Sequence, residues 1–233
     1  MNEKLPADIL FVIDNSDSMT MENAFVQANM NDFSEQIGDA DIDHRVVVIS
    51  AYPNDGGLCI DEPLGSGGCP NQDNNPPEFT HIDDGVGSHN GLVKIMNHAT
   101  EIQDVFREES AKHIVIVSDD DSDDLDGDDF HAWFTELGPG YADYTFHAIV
   151  ALEDIDTALC IALGQGGACC DNNFPLADAR GDQYIWLADE TEGVKGELCD
   201  QEFQPIFDEI QTAVEQNSPL ACTWDIPEPP EDE

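Results

Sequence analysis

The sequence predicts an α/β fold: a doubly wound, mostly parallel central sheet flanked by helices in a three-layer sandwich, with disulfide-braced loops. Three features predict it. Uninterrupted apolar runs at residues 9–13, 46–49 and 114–117 read as strands buried on both faces, the kind found inside parallel sheets. Segments with apolar residues at helical spacing alternate with them, and strand, helix, strand is the opening of a doubly wound sheet. At 233 residues the chain can bury one full core, and residues 1–217 are read as a single domain.

The first strand stops at Asp14, and oxygen-bearing side chains follow at alternate positions, Asp14, Ser16 and Ser18, before a helix that begins near Thr20. Strand ends in open α/β sheets are where ligands bind, and a turn there can aim alternate side chains at one point. Carboxylate and hydroxyl oxygens together suit a hard cation such as Mg²⁺. A polar turn that caps the helix is the other reading, since Asp and Ser are favoured cap residues. Val26, Met30, Phe33 and Ile37 give that helix its core face, and Gly38 ends it.

Residues 43–51 hold the second buried strand. Residues 52–86 form an insertion rich in Pro, Gly, Asn and Asp, in which only residues 78–82 read as an edge strand. Cys59 and Cys69 are expected to staple it, which by chain entropy is worth about 2–3 kcal/mol. The insertion either decorates the sheet edge or stands beside the cation and shapes a binding surface.

Gly87 to Leu92 open the next helix, with Ser88 at its start and Leu92, Met96, Ala99, Ile102 and Phe106 as its buried face. The strand at residues 112–117 ends in Ser118 and the acids Asp119, Asp120 and Asp121. The acidic run from Ser122 to Asp129 lacks the Gly and Glu spacing of an EF-hand and reads as a solvated loop. Phe130, Trp133, Phe134 and Leu137 mark a short helix, and residues 144–152 a fourth core strand. Residues 153–181 read as irregular, residues 184–188 as a fifth strand. Phe203, Ile206, Phe207, Ile210 and Val214 line a last helix. Residues 218–233 read as an acidic, Pro-rich linker, beyond which more protein is expected.

The pattern D-N-S-x-S-M at Asp14, G-S-x-x-G-L at Gly87 and V-S-D at Val117 resembles the von Willebrand factor A domain and its metal-ion-dependent adhesion site. With the cysteine before I-P-E-P-P, the resemblance covers nearly the whole chain and is nearest to secreted bacterial members, the myxobacterial kind among them. It implies that Asp14, Ser16, Ser18, Ser88 and Asp119 gather round one Mg²⁺ or Ca²⁺, the serines bound directly and the aspartates partly through water. An open coordination position would then accept a carboxylate from a partner protein. Three departures bear on this: Ser88 where the family usually has Thr, Asp120 where it has Gly, and Asp17 where Gly is frequent. Asp17 either leans toward solvent or adds negative charge that tilts the site toward Ca²⁺. A structural domain of a cell-envelope assembly, in which the cation only holds loops together, is the alternative.

Composition narrows the classes further. Seven Lys plus Arg against 51 Asp plus Glu give a net charge of −44, which disfavours nucleic acid and anionic lipid and favours cations or basic partners. Such acidity fits salty surroundings, where screening shortens the repulsion to about 3 Å at about 1 M salt. No apolar stretch reaches the roughly 20 residues that span a bilayer. The seven cysteines lie almost wholly in loop-like sequence, as in exported proteins, so an extracellular or cell-surface location is expected. The start, Met-Asn-Glu-Lys-Leu-Pro, does not read as a leader and is expected to be a mature or trimmed end. No G-x-S-x-G, H-E-x-x-H or Walker motif occurs, the seven histidines show no paired ligand spacing, and a non-enzymatic binding module is expected.

Overall fold

The computed structural model describes residues 4–164, 169–171 and 174–220. The chain enters at the middle of the sheet with β1 (Ala7–Ile13), buried along its length, and passes through α1 (Thr20–Asp39) to β2 (His44–Ser50). After the insertion come β3 (Phe79–Asp83), α2 (Gly91–Asn97), α3 (Ala99–Val105) and β4 (Ala111–Val117). Then follow α4 (Gly127–Thr135), β5 (Tyr144–Val150), α5 (Thr157–Leu163) and the short hairpin of β6 (Cys170–Asp171) and β7 (Phe174–Pro175). The last elements are α6 (Asp182–Glu190), β8 (Lys195–Glu197) and α7 (Phe203–Asn217).

Six strands form one sheet in the order β3-β2-β1-β4-β5-β8, every pair parallel. The chain winds outward from β1 through β2 to β3, then crosses back to β4 on the other side. Strand order therefore reverses between β1 and β4, the place where doubly wound sheets open a crevice at their C-terminal edge.

Alternation along each strand divides the core in two. Ile9, Phe11 and Ile13 face α1 and α7, where Phe11, Phe33 and Phe207 pack with ring centroids 5.5–5.8 Å apart. Leu10 and Val12 face the opposite layer, built from α2, α3, α4 and α6 through Leu92, Ile102, Phe130 and Leu187. The architecture is the three-layer α/β sandwich expected, compatible with the von Willebrand A and Rossmann-like arrangements.

Several local expectations are corrected. Residues 184–188 are not a strand but the middle of α6. Tyr184, Ile185, Leu187 and Ala188 are buried while Trp186 is 39% exposed, a helical spacing that a five-residue apolar run conceals. The sixth strand is instead Lys-Gly-Glu, without any apolar run. It packs so closely under α7 that a Cβ on Gly196 would stand 2.5 Å from Ile206 Cγ2. The helix after residue 90 is interrupted at His98, whose ψ of 16° departs from helical values; Leu92 is fully buried as expected, but Ile95 rather than Met96 joins it. Residues 153–181 hold α5 and the β6/β7 hairpin rather than irregular chain alone.

Three disulfides brace the loops: Cys59–Cys69 in the insertion, as expected, Cys160–Cys170 between α5 and β6, and Cys169–Cys199 from the hairpin to the segment before α7. Cys222 and most of the linker, residues 221–233, lie outside the described residues. Among the described residues no helix is long and apolar enough to cross a membrane. The insertion packs Leu58, Ile60 and Leu64 into the α1 side of the core and is closed by a buried pair, His81 Nδ1 to Asp73 Oδ1 at 2.8 Å.

At the N-terminal end of β1 sits a fully buried carboxylate, Asp8. Arg107 meets it with Nε at 2.8 Å and Nη2 at 2.6 Å, its own backbone N–H adds a third bond, and Ser110 Oγ a fourth at 2.6 Å. Removing one partner of such a pair leaves a charge buried alone. Arg107→Ala is expected to lower unfolding free energy by about 3–5 kcal/mol, read by chemical denaturation at neutral pH.

Candidate metal centre

The first two candidate carboxylates flank the point where strand order reverses. Asp14 follows β1 directly, its backbone N–H donating to Val117 O at 2.9 Å, so the turns after β1 and β4 leave the sheet at the same level. Asp119 lies two residues beyond β4. Both are out of water, at 0% and 3% exposure.

Four of the five sequence-predicted residues lie together, three of them joined by hydrogen bonds. Asp14 Oδ1 accepts from Ser16 N at 2.8 Å, and Asp14 Oδ2 accepts from Ser118 Oγ at 3.1 Å. Ser16 and Ser18 hydroxyls lie 3.1 Å apart. Asp119 lies close enough to both Ser18 and Asp14 for each to act on its carboxyl. The helix-cap reading finds no support: neither Ser16, at the N-cap of the 3₁₀ turn Asp17–Met19, nor Met19 before α1 makes a side-chain cap bond. Asp17 is exposed and leans to solvent.

Ser88, the fifth residue, is half-buried in a turn ahead of α2 rather than at the helix start, and its hydroxyl enters none of these bonds. Its turn is nonetheless tied to both carboxylate loops. Asn15 N donates to Val86 O at 2.9 Å on one side, and Asp124 N reaches His89 O at 3.4 Å on the other. The N-cap position of α2 is Asn90, whose Oδ1 accepts from Gly87 N at 3.0 Å instead of capping the helix.

The acids after Asp119 have separate employments. Asp121 Oδ1 accepts from Gln183 N at 2.8 Å and so satisfies the first turn of α6. Asp120 turns one oxygen to Asp121 N at 2.9 Å and the other toward His89 Nδ1 at 3.5 Å. Against the desolvation that lowers it, Asp120, the Asp121 carbonyl and Asp123 together push the His89 imidazole above its usual range. Asp126, Asp128 and Asp129 form an exposed acidic group, but the run is loop only as far as Asp126; Asp128 and Asp129 belong to the first turn of α4, where carboxylates suit the helix N-terminus. Cys59 with Cys69, and Cys169 with Cys199, each lie near a carboxylate, but their sulfurs are spent on disulfides. The remaining histidines bond elsewhere, His113 to His147 within the core and His98 to Asp84 and Glu101.

Charge is the unusual property of this place. Burial raises the Asp14 carboxyl above its ordinary range, and burial, with Asp14, Asp178 and Asp120 nearby, pushes Asp119 up to about 6. Among the described residues no basic side chain pairs with them, and Lys4 precedes β1, at the opposite end of that strand from Asp14. Lys94 pairs with Asp84, Arg107 with Asp8 and Asp43, Arg180 with Asp182 and Lys195 with Asp189. Arg45 donates to Val105 O, and Lys112 to backbone carbonyls. Two buried carboxylates with serine hydroxyls and no cationic partner are a donor set of hard oxygens that fits Mg²⁺ or Ca²⁺.

Two contributors escaped the sequence reading as parts of the site. Ser118 was visible only as one letter of the V-S-D pattern, yet its hydroxyl fixes Asp14. Asn15, an unremarked letter in D-N-S, joins three loops. In comparisons with protein-family models and with curated proteins, the chain finds no match in either.

A raised carboxyl pKa stabilises the fold at low pH and costs stability above it. In chelator, Asp119→Asn is therefore expected to exceed the wild type by about 3 kcal/mol above pH ~7, the difference vanishing by pH ~4. Saturating Mg²⁺ should reverse the order, stabilising the wild type alone; thermal melts across pH with EDTA or Mg²⁺ read both effects.

Proposed function

We propose that this protein is a divalent-cation-dependent protein-binding module of the von Willebrand A kind. Asp14, Ser16, Ser18, Ser88 and Asp119 would form an adhesion site for Mg²⁺ or Ca²⁺. The observation that carries this reading is the pair of buried carboxylates at the reversal of strand order, gathered with hydroxyls and given no Lys or Arg. The contrast with Asp8, on the same strand and equally buried, sharpens it: where this fold wants a carboxylate neutralised by protein, it supplies Arg107.

With hydroxyls taking part of the coordination shell, the cation keeps electrophilic character and can take a further oxygen ligand. A carboxylate from a partner protein is the natural one. Asp14 and Asp119 hold the ion by charge, Ser16 and Ser18 by their hydroxyls, and Ser118 orients Asp14. The three disulfides suit an oxidising compartment, and an exported, surface-displayed protein is the setting proposed.

One observation favours a second reading, a cation that only staples loops in an envelope assembly. Asp120, 8% exposed, lies near enough to Asp119 to act on its carboxyl, and added negative charge there would weaken recruitment of an acidic partner. Binding partners captured from a surface fraction with and without EDTA separate the two: capture that survives chelation, the fold being intact, supports the staple.

The cation site itself is tested by titration calorimetry. Asp14→Ala is expected to abolish Mg²⁺ and Ca²⁺ binding while unfolding stays cooperative; a wild-type titration in that variant would refute the site.

A further inference from the structure

Asn15 stands between two proposed ligands without being one, and its bonds run outward from the site. Its backbone N–H donates to Val86 O at 2.9 Å, and its side-chain Oδ1 accepts from Val86 N at 2.8 Å. The same Oδ1 accepts from Ala51 N at 3.3 Å, and Nδ2 donates to Asp55 O at 3.4 Å. One carboxamide thus joins the turn after β1, the end of β2 with the start of the insertion, and the segment that leads to Ser88.

The residue it grips matters. Val86 lies between Gly85 and Gly87, so no side chain of its neighbours restricts the backbone there, and Ser88 follows two residues on. Val86 itself is 2% exposed, held by Asn15 on both its N–H and its carbonyl, much as a strand partner would hold it. An oxygen with two lone pairs on a short side chain is needed to take two backbone N–H groups at once, and an amide N–H is needed for Asp55 O. Asparagine supplies both without adding charge beside Asp14 and Asp119.

We infer that Asn15 is a positioning residue of the cation site, setting the place of Ser88 relative to Asp14 through its bonds to Val86. This rests on the proposed reading of Asp14, Ser16, Ser18, Ser88 and Asp119 as ligands. Loss of an outer-shell partner of this kind typically weakens metal binding by about 10–100-fold. Because Asn15 acts through Ser88, its effect vanishes once the Ser88 hydroxyl is gone.

A double-mutant cycle measured by Mg²⁺ titration calorimetry tests this. Asn15→Ala is expected to weaken Mg²⁺ binding about 10–100-fold, and Ser88→Ala to weaken it likewise. The double variant should bind within about twofold of Ser88→Ala alone. Independent losses that multiply in the double variant overturn the inference, as does an Asn15→Ala affinity equal to wild type. Cooperative unfolding in EDTA checks that each variant is folded, a readout that a purely structural role would move without changing the affinity of the folded protein. Should Asn15→Ala not fold, Asn15→Asp keeps the acceptor oxygen; Ser88→Ala must then cost as much in that background as in wild type, and a cost that disappears overturns the inference. If Asp14→Ala binds Mg²⁺ normally, the site reading has failed. If Asp14→Ala is silent and Asn15→Ala normal, only the positioning role has failed.

Discussion

Two carboxylates held side by side, out of water and beyond the reach of any Lys or Arg, impose the constraint on which the C-terminal edge of this sheet depends. Like charges at about 4 Å in partly buried surroundings repel by on the order of 4 kcal/mol. The fold offers partial relief: Ser16 N and Ser118 Oγ bond Asp14, and Ser18 stands near enough to Asp119 to favour its charged form. Hydrogen bonds of this number do not cancel the penalty, since both carboxyls remain raised above their ordinary range. What is missing is positive charge, and the strand topology delivers both carboxylates to the one place where α/β sheets leave room for it.

The two ends of β1 show how differently the same residue type can be used. Asp8 is locked to Arg107, which also reaches Asp43 and Ala7 O, so that end is finished by the chain itself. The Asp14 end is finished by hydroxyls and by Asn15, which fasten the loops to each other but bring no charge. With a net charge of −44 the surface concentrates cations from solution, and basic side chains are too few to be spent at a site that a dissolved ion can serve.

Much of this was legible in the sequence, for identifiable reasons. Strands at the centre of a parallel sheet must be apolar on both faces, so β1, β2, β4 and β5 announce themselves as runs. The alternate oxygens of Asp14, Ser16 and Ser18 stand out because they interrupt such a run abruptly. An edge strand has no such requirement: β8 is Lys-Gly-Glu, specified by the closeness of Ile206 rather than by its own hydropathy. The run at Tyr184 misleads because five apolar residues satisfy a strand and one face of a short helix equally, and only packing against β5 decides. Ser118 and Asn15 were hidden because their roles lie in bonds to residues about 70 to 100 positions away, Val86 and Asp14, that no local pattern encodes.

A crystal soaked in Mn²⁺, whose anomalous scattering marks its position, tests the central claim most directly. The account predicts one strong peak between the turns after β1 and β4, with oxygens of the Asp14 turn and of Asp119 in its coordination sphere at about 2.1–2.2 Å or through a bridging water. Peaks confined to the exposed acids of residues 126–129, with that place empty at millimolar Mn²⁺, would contradict it.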